Sequence, residues 1–229
     1  MAASERVLTS RELNRALLAR QLLLERKSSP LPKAVERIGG IQAQYAPSMY
    51  IGLWSRLAGF EREALTRALE RRSVVQGTLL RSTIHLVTPR DWWAFSAAVR
   101  EPRKEHWLRA RKGEPSQSEI EAAAKRVAAR LVDGPLSRSE IDALVGLGPR
   151  GVNAMSVWLS LVRVPPSGTW DRRRADLFAA AEDWIGPPPE MRPEAAAAEL
   201  VRSYLRGFGP STPGEIADWA GFPTVKEVS

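Results

Sequence analysis

The pattern of apolar and polar positions in the first half of the chain predicts short helices followed by a β-hairpin. Apolar residues at spacings of three and four predict helices over residues 11–26, 35–45, 49–57 and 60–72. Two β-rich runs, 74–80 and 83–88, meet at Arg81 and Ser82 and predict the hairpin. This order is typical of a winged helix, although an unrelated helical domain with an incidental hairpin would give the same local pattern.

An aromatic-rich helix is predicted to begin at Pro89. Its aromatic positions, Trp92, Trp93, Phe95 and Trp107, are typical of packing between domains rather than of a binding site. A polar segment, 109–116, then reads as a linker.

An internal repeat organises the second half of the chain. The block 134–146 recurs 75 residues later as 209–221, with Gly134 matching Gly209 and Gly146 matching Gly221. Each block reads as a turn, a capped helix and a glycine turn, and each follows an Ala-rich amphipathic helix. A helix over 151–162 and a second wing over 175–180 complete the first copy.

The repeat predicts a mainly α protein with small β-hairpin wings, built from tandem winged-helix (helix-turn-helix) modules. We place the modules at 1–109, 117–187 and 193–229. The third is expected to be truncated, because only five residues follow Thr224.

Composition narrows the functional classes. The 229 residues contain 34 Lys and Arg against 26 Asp and Glu, a net charge of +8, which points to nucleic acid or an anionic membrane surface. A basic protein without any polyanionic partner is the alternative. The absence of cysteine and the presence of only two histidines exclude disulfides, thiolate nucleophiles and Cys-rich zinc sites. We therefore expect no metal and no cofactor. The chain also has no stretch of 18 apolar residues and no signal-peptide core, so we expect a cytoplasmic protein without a membrane span, and we expect it to be a monomer.

The segment 38–48 carries the clearest candidate chemistry. Gln42 and Gln44 lie in a stretch that reads as semi-buried, so their amides need hydrogen-bond partners. Residues two apart point to the same side only in an extended segment. If both glutamines serve one site, the backbone must leave the helix near Gly39 and Gly40. Spacing alone favours the other interpretation, in which one glutamine caps a helix end and the other faces solvent.

The other candidate site residues are basic side chains or residues of the predicted hairpin. His85 is either a hydrogen-bonded structural residue or a site residue beside Arg81 and Ser82. The run Arg172, Arg173 and Arg174 lies at the second wing, where it is either a solvated charge run or a phosphate contact. A second basic concentration extends over 100–112.

Three motifs together resemble one family. The segments 39–48, Tyr50-Ile-Gly-Leu-Trp54 and 77–87 resemble the AlkZ-type winged-helix DNA glycosylases. That resemblance implies three winged-helix modules around double-stranded DNA, excision of alkylated purines and unhooking of interstrand crosslinks. It also implies that Gln42 and Gln44 are catalytic. Residues expected against the DNA are Tyr45, Ser48, Arg81, Ser82, His85, Arg172, Arg173 and Arg174.

The chemistry of glutamine fits such a reaction. An amide is not a base near neutral pH, but it can orient water, stabilise a cation and donate to a base edge. An N7-alkylated purine is already a good leaving group, so orientation and electrostatics could suffice. The sequence alone leaves open a non-catalytic winged-helix transcriptional regulator, or an architectural protein.

Overall fold

A computed structural model describes residues 7–111, 115–147 and 151–222, which form a mainly helical protein with one small antiparallel sheet. The first five helices are α1 Ser10–Arg20, α2 Leu31–Arg37, α3 Ala46–Trp54, α4 Arg62–Glu70 and α5 Pro89–Ala110. The next six are α6 Gln117–Leu131, α7 Arg138–Val145, α8 Gly151–Trp158, α9 Ala181–Ile185, α10 Pro193–Phe208 and α11 Pro213–Ala220. None of the helices in these residues combines the length and apolarity that crossing a membrane requires.

The six strands form one sheet. They are β1 Ile41–Gln42, β2 Val75–Thr78, β3 Ile84–Val87, β4 Leu136–Ser137, β5 Leu161–Arg163 and β6 Leu177–Ala180. Their order is β1-β3-β2-β5-β6-β4, and every neighbouring pair is antiparallel. The predicted hairpin is present as β2 and β3, joined by a 3₁₀ turn at Leu80–Ser82. The second wing, predicted over 175–180, is present as β6, which pairs with β5 to form a second hairpin.

Pairing between β2 and β5 joins the two wings into one sheet. Gln76 lies opposite Arg163, and Gly77 lies opposite Val162. The edge that each hairpin would expose alone is therefore covered by the other. The module boundaries at 109, 117, 187 and 193 stay predictions. The first and second predicted modules share one sheet, because β1, β2 and β3 precede residue 109 and β4, β5 and β6 follow residue 117.

Several predicted helices end earlier than expected, and in two cases a strand follows. The helix predicted over 35–45 ends at Arg37, because the chain turns at Gly39 and Gly40 and then enters β1. The helix predicted over 151–162 ends at Trp158, and the remaining residues form β5. All three residues of β5 are buried, so the strand has no exposed alternate positions from which its period could be recognised.

Capping explains several other boundaries. Thr9 and Glu12 form a capping box that fixes the start of α1. At its other end, this helix stops at Arg20 rather than near residue 26. The helix α5 continues to Ala110, so it includes the first residues of the predicted linker. Trp92 and Phe95 of this helix are buried in the core, which confirms their predicted packing role.

The repeat is confirmed at the level of its capped helices. Ser137 and Glu140 form a capping box at the start of α7, and Thr212 and Glu215 form one at the start of α11. Each helix ends at a glycine with positive φ, Gly146 at +74° and Gly221 at +81°. The predicted third recognition helix after Phe222 lies outside the described residues.

Candidate active site

The backbone of the segment 38–44 is shaped by two glycines. Gly39 has φ of +77° and Gly40 has φ of +84°, a region that side chains with a Cβ rarely adopt. A Cβ on Gly40 would lie 2.8 Å from a methyl group of Val87. The glycine pair therefore stops α2 and lets the chain lie against β3 as the short strand β1. The expectation that the backbone leaves the helix here is confirmed.

Gln42 and Gln44 project to the same exposed side of this extended segment. Ile41 and Ala43 alternate with them and face the core, half-buried and buried respectively. Both glutamines are exposed, so the expectation of semi-buried amides is wrong. The alternation of an edge strand explains the difference, because it buries one face and leaves the other in solvent.

The two glutamine side chains are held differently. The Oε1 atom of Gln44 accepts a hydrogen bond from the backbone N–H of Ile84 at 3.1 Å, beside the bond from Ala43 N–H to the Ile84 carbonyl at 2.7 Å. Because a backbone N–H can only donate, this contact fixes which end of the Gln44 amide is oxygen. Its NH₂ group is left to face outward. No residue in the described part of the chain hydrogen-bonds the side chain of Gln42.

His85 lies beside Gln42 on the neighbouring strand of the sheet. It pairs with Gln42 of β1 on one side and with Gly77 of β2 on the other. The imidazole is buried, and its Nδ1 lies 3.1 Å from the carbonyl oxygen of Thr83. Burial lowers the pKa of His85 to about 4, so the ring is neutral near neutral pH. The hydrogen-bonded structural role that the sequence allowed for His85 fits this environment.

Tyr45 and Ser48 continue the segment into α3. The Ser48 hydroxyl donates to the Tyr45 carbonyl at 2.6 Å, within the first turn of the helix. The Tyr45 side chain is 55% exposed, and its hydroxyl oxygen accepts a hydrogen bond from Arg173 at 3.1 Å. The first and second predicted modules therefore touch through two of the predicted DNA-binding residues.

The remaining arginines have different surroundings. Arg81 has φ of +50° in the hairpin turn and donates to the Trp219 carbonyl of α11 at 2.6 Å, so part of its guanidinium is used within the protein. Arg172 lies 3.5 Å from Asp176 in an exposed ion pair. The side chain of Arg174 is exposed beside them.

A cavity of about 320 Å³ adjoins Gln44 and Ser82. It is also lined by Arg103 and His106 of α5, by Arg111 directly after that helix and by Asn153 of α8, most of which sequence reasoning did not select as site residues. Arg103 and Arg111 belonged to the basic concentration over 100–112. A spacing of three residues places Arg103 and His106 on one face of α5, a signal that could have pointed to them.

The sheet and the surrounding helices define the class of protein as a winged-helix protein. A solved structure of the Streptomyces sahachiroi DNA glycosylase AlkZ has the same fold, with a TM-score of 0.73 at 20% identity over 94% of this chain and 65% of that one. The predicted fold class is thereby confirmed. A family model described as DNA glycosylase AlkZ-like matches residues 35–229. The chain belongs to the AlkZ-like DNA glycosylase family.

A curated relative is similar over most of this chain. An interstrand DNA cross-link repair glycosylase from Streptomyces sahachiroi is 25% identical over 219 residues, which are 88% of this chain and 58% of the relative. The chain therefore spans somewhat more than half the length of that relative. Within the described residues, no cluster of three or more His, Asp or Glu side chains could hold a metal ion.

Proposed function

We propose that this chain is a monofunctional DNA glycosylase that hydrolyses the N-glycosidic bond of N7-alkylated purines and unhooks interstrand crosslinks. The observation that carries the proposal is the pair of exposed amides, Gln42 and Gln44, on one side of an extended segment beside a basic cavity. Membership of the AlkZ-like family and the relative named for cross-link repair support it. The partner is double-stranded DNA that carries the lesion, and the protein acts as a monomer in the cytoplasm.

The reaction needs little proton transfer from the protein. An N7-alkylated purine carries a positive charge, so it leaves with the electron pair of the glycosidic bond as a neutral base. The sugar C1′ becomes oxocarbenium-like, a water oxygen bonds to it, and the water proton passes to solvent. Gln42 orients that water and stabilises the cationic sugar through its carbonyl oxygen, which no described residue occupies.

Gln44 has a different task. Its carbonyl oxygen already accepts from Ile84, so its NH₂ group is the end that meets the substrate. This group donates to an acceptor on the DNA, either a base edge or the backbone. Neither glutamine abstracts a proton, and the buried His85, with a pKa of about 4, is a poor base. The chemistry therefore suits a labile cationic lesion and would not remove an uncharged, undamaged base.

The experiment is base release from a duplex that carries one N7-methylguanine. Gln42→Ala and Gln44→Ala should each lower the release rate, and both together by at least about 100-fold, the scale of losing preorganised electrostatic groups. Gln117→Ala, at an exposed glutamine of α6, is the matched control and should retain the parent rate. Release by the double variant at the parent rate would overturn the proposal, as would a parent protein that releases no base.

The monofunctional part of the proposal has its own test. A lyase needs an amine that forms a Schiff base with the sugar, and among the described residues no lysine lines the cavity beside Gln44. Borohydride should therefore trap no covalent complex with the DNA, and the strand should stay intact after base release. A trapped adduct would contradict this part.

A winged-helix transcriptional regulator is the second candidate, favoured by the repeated helix-turn-helix elements and the net charge of +8. It predicts a consensus in a binding selection over random duplexes. A glycosylase instead binds undamaged DNA weakly, with a Kd of roughly 10⁻⁴–10⁻⁶ M at physiological salt. A selection without consensus would exclude the regulator.

A further inference from the structure

The cavity beside Gln44 is lined by hydrogen-bond donors and cationic groups. Arg103, His106 and Asn153 contribute to it together with Ser82 and Gln44. A neighbouring cavity of about 300 Å³ shares Ser82, Arg103 and His106, so the two lie on either side of the same side chains. No Asp or Glu of the described ranges lines either cavity. This composition suits an anion and disfavours a cation.

Arg103 is held firmly but without a carboxylate partner among the described residues. Its two terminal nitrogens donate to the carbonyls of Thr78 at 2.9 Å and Ser156 at 3.1 Å, while its Nε is buried without a hydrogen bond from a described residue. Ser156 lies in the last turn of α8, where carbonyl groups lack helical partners and favour a cation. Burial lowers the pKa of Arg103 to about 10, so it stays charged near neutral pH.

The sheet ties Arg103 to Gln44. Thr78, whose carbonyl accepts from Arg103, pairs with Ile84 across β2 and β3. Ile84 in turn donates its N–H to Gln44 on its other side. Two strand spacings separate the flanking backbones, so Thr78 and Gln44 lie about 10 Å apart. The donors of Gln44 and the guanidinium of Arg103 are thus set at a fixed separation on the two sides of strand β3.

Asn153 lines the cavity beside Gln44 and belongs to the helix-turn-helix of the second predicted module. It is an exposed residue of α8, the helix that follows the capped helix α7. In a helix-turn-helix this second helix is the one that meets DNA. Its amide therefore reaches the cavity from the side on which a duplex would lie.

We propose that this cavity binds a backbone phosphate of the duplex next to the reacting nucleotide, with Arg103 and Asn153 as its ligands, while the Gln44 NH₂ group borders the cavity on the other side of β3. The proposal rests on the proposed glycosylase function and deepens it. An N7-alkylated purine is cationic before cleavage, so this donor-lined, cationic space repels it and accepts a phosphate instead. The phosphate holds the sugar in front of Gln42, which positions the scissile bond.

The test uses the two asparagines of the chain. Asn153→Asp places a carboxylate where the phosphate would bind, and Asn14→Asp makes the same change at an exposed position of α1. Duplex affinity is measured by fluorescence anisotropy at several salt concentrations with undamaged DNA, so no chemistry is needed. Asn153→Asp should weaken binding about 10-fold or more and lower the slope of log K against log salt by about 0.9, the value for one phosphate contact. Asn14→Asp should match the parent slope.

The outcomes separate this proposal from the glycosylase proposal. If Asn153→Asp has the parent slope and affinity while thermal unfolding shows it folded, the phosphate site is overturned, whatever its rate of base release. If the slope falls as expected but the parent protein releases no base, the phosphate site stands and the glycosylase proposal fails. A purely structural role of Asn153 would change the unfolding midpoint without changing the salt slope, and this would also overturn the phosphate site.

Discussion

The side-chain oxygen of Gln44 accepts a hydrogen bond from the backbone N–H of Ile84 at 3.1 Å. The strand β1 ends at Gln42, so this bond replaces the next backbone contact of the ladder between β1 and β3. The bond also means that the two glutamines offer different hydrogen-bonding atoms to a substrate. Gln44 presents donors to the DNA, whereas Gln42 keeps both its oxygen and its NH₂ group for substrate and water.

The first prediction concerns this bond. Gln44→Leu leaves the Ile84 N–H without its acceptor and should lower the free energy of unfolding by about 0.5–1.5 kcal/mol. Gln44→Glu keeps an acceptor oxygen and should retain most of that stability, although it loses the NH₂ donors and with them base release. Urea unfolding measures the difference. Gln42→Leu is the control, and equal destabilisation by the leucine variants at 42 and 44 would contradict the asymmetry.

The second prediction concerns the contact between Tyr45 and Arg173, 3.1 Å apart. Tyr45→Phe and Arg173→Gln in a double-mutant cycle should show a coupling of only about 0.2–1 kcal/mol, because the pair is exposed. The two variants should differ in DNA binding. Arg173→Gln should lower the salt slope by about 0.9 if its guanidinium meets a phosphate, and Tyr45→Phe should leave it unchanged. Equal slopes for both variants would remove Arg173 from the DNA-binding surface.

The third prediction follows from the buried His85. Its folded pKa of about 4 lies below the usual value of 6.5, because burial disfavours the charged ring. The unfolded chain therefore binds the proton first as the pH falls. The stability is complete above pH 6.5 and is lost between pH 6.5 and 4, by roughly 3 kcal/mol at most.

The matched variant is His85→Asn, which can place an amide N–H where Nδ1 lies. Its unfolding free energy should lack this part of the pH dependence. Urea unfolding at a series of pH values provides the measurement. A parent protein and a variant with parallel curves between pH 4 and 6.5 would contradict a buried, neutral His85.

The fourth prediction concerns Asp91 in the first turn of α5, whose titration makes the protein less stable as the pH rises, the opposite of the effect of His85. Its carboxyl group is buried, and neither oxygen has a hydrogen bond from a described residue. Burial raises its pKa from 3.8 to about 6, although the charge of Arg206 acts the other way. The folded protein therefore binds the proton more tightly. The stability present below pH 3.8 is lost as the pH rises through 6, by roughly 3 kcal/mol at most.

Asp91→Asn removes this titration. Its free energy of unfolding relative to the parent should rise between pH 4 and 6 and stay constant above that range. Because His85 and Asp91 act in opposite directions, their contributions in the parent largely cancel between pH 4 and 6, so the single variants are more informative than the parent curve. A constant difference between Asp91→Asn and the parent across this range would show that Asp91 is ionised in the folded protein.

Much of the local structure could be predicted from the sequence. Capping residues such as Thr9, Ser137 and Thr212 begin helices where their side chains can accept the first free N–H groups. Gly39 and Gly40 indicated where the chain could leave the helix before Gln42, although the apolar spacing predicted a helix over 35–45. These features depend on residues three or four positions apart, so they can be read along the chain.

The surroundings of the candidate site could not be read in this way. The contact between Arg81 and Trp219 spans 138 positions, and that between Gln44 and Ile84 spans 40. Arg81 was expected against DNA, and only the position of α11 shows that part of its guanidinium is used within the protein. Asn153 had no sequence signal as a site residue, because an exposed amide on a helix looks the same wherever the helix lies.

The sequence by itself determined the capped helices, the repeat, the first hairpin and the choice of Gln42 and Gln44 as candidate site residues. Only the tertiary structure decided that β2 pairs with β5, which oxygen and which NH₂ group of the amides remain available, and that α5 and α8 enclose a basic cavity beside them. Local propensities fix dihedral angles within a few residues. Strand pairing and helix packing instead depend on which distant surfaces bury each other, and a single sequence carries no local pattern for that choice.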